Sequence, residues 1–312
     1  MFDVAISELT SSRWDLQREI GHAVAHGFDA ISLWRPKVSD VGAAAAGRLV
    51  AAAGLGVSSL QWAGGFTGSD GRSFAESIED AVEAIGMAAT VGASVLVVHS
   101  GCRGGHTRSH ALRLVDQALE SLAPLAERAG VTLALKPVHP HVSVGCSFLS
   151  GLEDALAVIG RFDTPTVRLA LDLWHFGDDP AAFTLVPTLA RATAILQVAD
   201  RCGPAAAGVD RLPAGHGRLA VERLVCELVE RGYDGPVEFD PVGETVEILG
   251  YDAVWRETRL VADHWSDRHA IRRGAVPHGT EAGRLSGRGH FRGAAGSAGR
   301  KSHASSHTGS PG

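Results

Sequence analysis

Ionisable and amide side chains recur in this sequence where short apolar runs end. VLVVH finishes on His99, and LAL is followed by Lys136, with His139 three residues on. LALD finishes on Asp172, with His175 three residues on. ILQVAD carries Gln197 and Asp200, and VEFD carries Glu238 and Asp240. Earlier runs end near Glu8, at Trp34-Arg35 and at Gln61-Trp62. An ionisable group emerging from an apolar strand is costly to bury unpaired, so several at equivalent strand ends point to a shared site. Asp172 with His175 is the most specific pair. A strand-end aspartate and a histidine on the following turn suit a divalent ion or a sugar hydroxyl. Glu238 and Asp240 are two apart and share a face, one at the rim and the other lower in a polar layer. His99 equally suits a satisfied core histidine, and His139 and His141 read as loop residues within reach of a substrate. Trp34, Trp62 and Trp174 suit either stacking on a sugar face or ordinary packing.

The elements that must position these residues follow from one repeated unit. A helical stretch ends at Gly, a short turn follows, and an apolar run begins, as in 25–34, 52–62, 90–100, 128–137 and 230–240. Gly suits a helix C′ position because it accepts the left-handed backbone without a Cβ clash. Runs apolar on consecutive residues are strands buried on both faces, as in parallel sheets covered by helices. The pattern predicts strands at 2–6, 29–34, 57–62, 94–99, 132–137, 167–172, 194–199 and 236–240, each followed by a helix, the last at 244–266. Eight βα units of this length predict an α/β fold, a single-domain (β/α)8 TIM barrel over 1–267, whose chemistry sits at the C-terminal strand ends. A doubly wound sheet would carry a Gly-rich phosphate loop after its first strand, and SELTSSRWD has no glycine.

The 312 residues are 45% hydrophobic and 21% charged, which excludes collagen-like and wholly disordered chains. The net charge of -6 conceals a split. Residues 268–312 hold eight of the 29 basic residues and one of the 35 acids, which leaves 1–267 at -13. This Gly/Ser/His/Arg-rich tail is predicted to be disordered. The acidic body argues against nucleic acid at the barrel. No apolar run is long enough to span a membrane, and MFDVAISELT lacks a basic leader region, so a cytoplasmic location is expected. Cys102, Cys146, Cys202 and Cys226 are widely spaced and read as free thiols. Lysine occurs only at 37, 136 and 301.

Together, the segments 95–114, 131–140 (VTLALKPVHP), 169–180 (LALDLWHFGDDP), 195–201, 210–219 and 232–244 (GYDGPVEFDPVGE) resemble the xylose isomerase-like TIM barrels, also described as sugar phosphate isomerases/epimerases. The resemblance implies proton transfer beside the carbonyl of a sugar or sugar phosphate, assisted by a divalent metal, often Mn2+. It implies a small carbohydrate-like substrate as partner and a homodimer as assembly. The family's ligands are Glu on strand 5, Asp on strand 6, His or Gln on strand 7 and Glu on strand 8. These fall on Lys136, Asp172, Gln197 and Asp240. Asp172 and Gln197 keep the pattern, and Asp240 keeps the charge one methylene shorter. Lys136 departs, since LALKP stands where the family reads like LALEP. The strand-5 and strand-8 carboxylates also look like the family's acid/base pair, which puts Lys136 and Asp240 in the catalytic positions. Arg211 and His216 fall in the loop that covers the substrate and join His99, His139 and His175 as substrate-binding candidates.

A lysine ammonium offers three donors and no acceptor, whereas hard cations want oxygen ligands. Four readings stay open. The ammonium stands in place of the ion, paired with Asp172 and Asp240, in a metal-free site. Alternatively Lys136 acts as a base or Schiff-base nucleophile, although two aspartates favour its charged form. A third reading swings it aside while an ion binds Asp172, Gln197, Asp240 and His139 or His175. In the fourth it is a lineage quirk of an ordinary enzyme. The corresponding functions are an isomerase/epimerase, a metal-free or inactive member that binds a carbohydrate-like ligand or a partner, and a lyase or dehydratase on the same barrel.

Overall fold

The structure, a computed structural model, describes residues 2–142 and 146–272. The predicted tail therefore lies, beyond Arg272, outside the described residues. Eight parallel strands close in sequence order: β1 (Val4–Ser7), β2 (Ala30–Trp34), β3 (Gly56–Gly64), β4 (Val95–His99), β5 (Thr132–Leu135), β6 (Val167–Asp172), β7 (Thr193–Val198) and β8 (Val237–Phe239). β8 pairs back onto β1 through Ala5 and Glu238. The first turn of helix, Glu8–Ser11, is a 3-10 turn. The wall is then α1 (Leu16–His26), α2 (Arg35–Val41), α3 (Ala43–Ala52), α4 (Phe74–Val91), α5 (Arg108–Ala129) and α6 (Leu152–Ile159), followed by α7 (Leu173–Phe176), α8 (Pro180–Thr184), α9 (Val186–Ala192), α10 (Val221–Glu230), α11 (Glu244–Leu249) and α12 (Tyr251–Arg272).

The eight-stranded TIM barrel expected from the repeat is the fold. Its glycine punctuation works as the local chemistry requires: Gly27, Gly92 and Gly130 close α1, α4 and α5 in the left-handed conformation. One helix boundary differs. The helix expected over 244–266 is two helices, because Gly250 takes φ +83° and turns the chain between α11 and α12. α5 runs through Pro124.

The barrel interior is apolar at most levels but carries a polar layer. Glu238 is fully buried. Its Oε1 accepts from Gln61 Nε2 and Gln197 Nε2, each at 2.8 Å. Its Oε2 accepts from Ser58 Oγ at 3.0 Å and Ser59 Oγ at 2.7 Å. Four donors on one buried carboxylate replace the hydration it loses. Glu238 is thus the lower member of the Glu238/Asp240 pair, and it fixes the orientation of Gln197 above it.

Candidate functional site

At the C-terminal rim the strand ends bring Lys136, Asp172, Gln197 and Asp240 together. Lys136 follows β5, and its ammonium lies 2.7 Å from Asp172 Oδ2 and 2.6 Å from Gln197 Oε1. Gln197 presents that oxygen because Glu238 holds its amide nitrogen. Asp172 ends β6 and caps α7, accepting from the Trp174 N–H at 2.9 Å. Lys136, Asp172, Gln197 and Asp240 are all buried.

Arg211 completes the cluster. One guanidinium nitrogen lies 3.0 Å from both Asp172 oxygens and 2.6 Å from both Asp240 oxygens. The Arg211 Nε–H donates to the Asp240 carbonyl at 3.1 Å. The loop after β7 delivers it. Leu212 and Asp200 bridge through paired backbone bonds, and so do Arg211 and Val242. Asp200 anchors this loop, its carboxylate accepting from the backbone N–H groups of Arg201, Gly215, Gly217 and Leu219. Gly217 must be glycine, because a Cβ there would meet Asp200 Oδ1 at 2.2 Å. Asp200 is therefore a loop anchor and not a member of the mouth cluster.

The electrostatics divide the two aspartates. Burial pushes Asp172 up, but Arg211 and Lys136 outweigh it and hold its carboxyl well below the usual range. Burial pushes Asp240 up to about 7, with Arg211 pulling down and the Asp172 charge pushing further up. Asp172 is the permanently ionised partner because it has two cations; Asp240 is the group that titrates near neutrality. Burial works against the Arg211 charge, and Asp172 and Asp240 more than restore it. His99 and His175 are both lowered to about 3, by burial first. The Lys136 charge lowers both further, while Asp172 opposes. Both imidazoles are neutral at physiological pH.

His175 Nε2 lies 3.6 Å from Asp172 Oδ2, and His99 ends β4 with its ring edge-on to Trp62 at 5.8 Å. β3 and β4 approach closely there because Gly64, at φ +128°, has no Cβ; one would sit 1.9 Å from the His99 carbonyl oxygen. A cavity of about 390 Å3 opens beside them, bounded by Trp62, His99, Gly64, Arg35 and Arg72. Trp62 is 44% exposed. Trp174 is buried, its indole N–H donating to the Asp210 carbonyl and its ring lying under Arg211, so it packs and presents no open face.

Two substrate-binding candidates lie outside the cluster. His216, expected over the mouth, has its Nε2 2.6 Å from Glu257 on α12. His139 sits in the loop after β5 against His141, at 5.2 Å between ring centroids. Glu8 belongs to a separate buried group: it accepts from the Trp34 N–H, and Glu19 lies beside it, bonded to Lys37 Nζ at 2.7 Å. Burial, then the Glu8 charge, pushes Glu19 up to about 8, with Lys37 opposing.

The sequence profile of the xylose isomerase-like TIM barrel family matches residues 20–260. The chain belongs to that family. Among solved structures, a protein from Sinorhizobium meliloti 1021 is 24% identical with a TM-score of 0.77, over 84% of this chain and 97% of that one. An IolI protein with a bound zinc atom is 17% identical with a TM-score of 0.75, over 86% and 99%. An L-ribulose 3-epimerase is 18% identical with a TM-score of 0.72, over 90% and 100%. The IolI relative prompts the question of whether this family member's rim residues fit a divalent ion. As placed, they do not. Both Asp172 oxygens, both Asp240 oxygens and Gln197 Oε1 are engaged by Lys136 and Arg211. Two fixed positive charges among the would-be ligands oppose a third.

Proposed function

We propose that the barrel mouth is a sugar isomerase/epimerase-type site that works without a divalent ion, with the Lys136 ammonium and Arg211 guanidinium in its place. The observation that carries this reading is the position of Lys136 Nζ between Asp172 Oδ2 and Gln197 Oε1. Asp172, Gln197 and Asp240 then serve side-chain cations and are not metal ligands. Carbohydrate as the substrate class is supported by the likeness to an epimerase of L-ribulose. The exposed Trp62 face beside neutral His99 supports it too, since an aromatic face with convergent polar groups suits a sugar.

Removing a proton beside a carbonyl builds negative charge on the carbonyl oxygen, and a fixed donor cation stabilises that charge. Lys136 has a third N–H beyond its two partners and donates it to this oxygen. Asp240, titrating near neutrality, takes the proton as general base. Arg211 and Asp172 hold the two groups in register, and His99 and His175 offer neutral ring nitrogens to hydroxyls.

The test is a panel of ketoses and ketose phosphates in deuterated water with a chelator present, followed by NMR. The reading expects deuterium incorporation that survives the chelator and disappears in Asp240→Asn. Exchange that stops with the chelator returns an ion to the mouth and overturns it. A second reading, ligand binding without turnover, draws on the 2.6 Å contacts from Arg211 to both Asp240 oxygens, since an ion-paired base is weaker. It expects sugar-dependent thermal stabilisation with no exchange. Loss of water or of a leaving group in the same assay marks a lyase.

A further inference from the structure

A second set of metal-ligating side chains lies on the outer wall. His22 and His26 are four residues apart on α1 and so share a face. Asp252, in the first turn of α12, meets both. His22 Nδ1 lies 2.9 Å and His26 Nε2 3.0 Å from one oxygen, Asp252 Oδ1. One ligand atom from each of the three residues lies within 4.8 Å of the others. The two rings stack at 6.0 Å with 25° between their planes, and Trp14 stacks on His22 at 4.2 Å. This packing orients the imidazoles before any ligand arrives. The side chains of His22, His26 and Asp252 are 29%, 15% and 52% exposed, so solvent reaches the point where they converge.

We propose that His22, His26 and Asp252 bind a borderline divalent ion, Zn2+ by preference, that clasps the first helix of the barrel wall to the last. Two imidazole nitrogens with one carboxylate oxygen suit Zn2+, whereas Mg2+ and Ca2+ favour oxygen alone. With Zn–N and Zn–O bonds of about 2.0–2.2 Å, tetrahedral ligand atoms stand roughly 3.3 Å apart. Two of the three separations here are 2.9 and 3.0 Å, so they need to open by only a few tenths of an ångström. The fourth position faces solvent and takes water. Arg256, 3.7 Å from the other Asp252 oxygen, is 61% exposed and free to swing away.

The test uses the full chain, stripped with a chelator and titrated with ZnCl2 by calorimetry and by thermal melting. One ion per chain is expected at this site, with a rise of several degrees in Tm at saturation, because the ion binds only the folded arrangement. Cu2+, as a quenching probe, is expected to dim part of the tryptophan emission, since Trp14 lies on His22. His26→Gln and Asp252→Asn, checked for folding by circular dichroism, each weaken Zn2+ on the order of 100-fold and remove the Tm rise. Asp172→Asn, in the barrel mouth, leaves Zn2+ binding at the wall unchanged. His269, His278, His290, His303 and His307 are another source of imidazole. Zn2+ binding of unchanged affinity in both wall variants assigns the ion to those residues and overturns the proposal, as does a wild type that binds no Zn2+ at micromolar concentrations.

Discussion

Replacing Lys136 by Met keeps the apolar stem of the side chain and removes the ammonium from a buried pair. Asp172 is fully buried and receives Lys136 at 2.7 Å. Stripping one partner from such a pair costs about 3–5 kcal/mol, because the remaining charge stays buried. Here Arg211 and the Trp174 N–H remain on Asp172, which places the loss at the lower end, about 3 kcal/mol. In a barrel of this size that lowers Tm by roughly 6–12 °C. The Lys136→Met/Asp172→Asn double variant removes both charges together. It should therefore fall well short of the summed single losses, with a coupling of about 1.5 kcal/mol or more. Melting curves at pH 7.5 on the four proteins give the cycle. A Lys136→Met loss below about 1 kcal/mol, or strict additivity, would show that the ammonium is solvated and not placed in the ion's position.

Other perturbations probe residues around the cluster. His175 is held near 3 against an ordinary 6.5, so below pH 6.5 the unfolded chain takes up a proton that the folded one refuses. Stability therefore falls as pH drops from 6.5 toward 3, with His175 contributing about 2 kcal/mol at pH 5; His99 is held down equally, so His175→Gln should remove about half of the fall in that stretch of the Tm-against-pH curve. Glu238→Gln turns a four-donor acceptor into a group with two donors of its own. A loss of about 2–4 kcal/mol is expected at neutral pH, along with weaker ligand binding through a misoriented Gln197. If Asp240 is the base, exchange activity should rise with pH through about 7, where its carboxyl ionises; a rate flat between pH 5.5 and 8.5 would remove it from that role.

Much of the barrel was readable because its signals are local. Glycine at the helix ends and consecutive apolar residues locate every strand within about two residues. The two-residue spacing of Glu238 and Asp240 already separates a buried layer from the rim. What escaped reading depends on contacts between distant segments. Nothing near Arg211 in sequence says that one guanidinium nitrogen will reach Asp172 on β6 and Asp240 after β8; the backbone bridges to Val242 and the Asp200 anchor decide that. His216 sits only five residues later, yet it turns to α12. Glu19 reads as one more charged helix residue, and only the fold buries it against Glu8 and Lys37. The scarcity of lysine was informative in a way that became clear with the structure. Both barrel lysines are buried and ion-paired, and arginine supplies the rest of the barrel's basic side chains.

In the proposed site, side-chain cations fill the place of a divalent ion. Mn2+ titration of wild type and of Lys136→Glu/Arg211→Gln, which removes both cations from the carboxylates, decides it, each run beside its Asp172→Asn counterpart so that binding elsewhere cancels. Wild type should show no Asp172-dependent Mn2+ binding, and Lys136→Glu/Arg211→Gln should show it, with a rise in Tm. Asp172-dependent Mn2+ binding by the wild-type protein would contradict it.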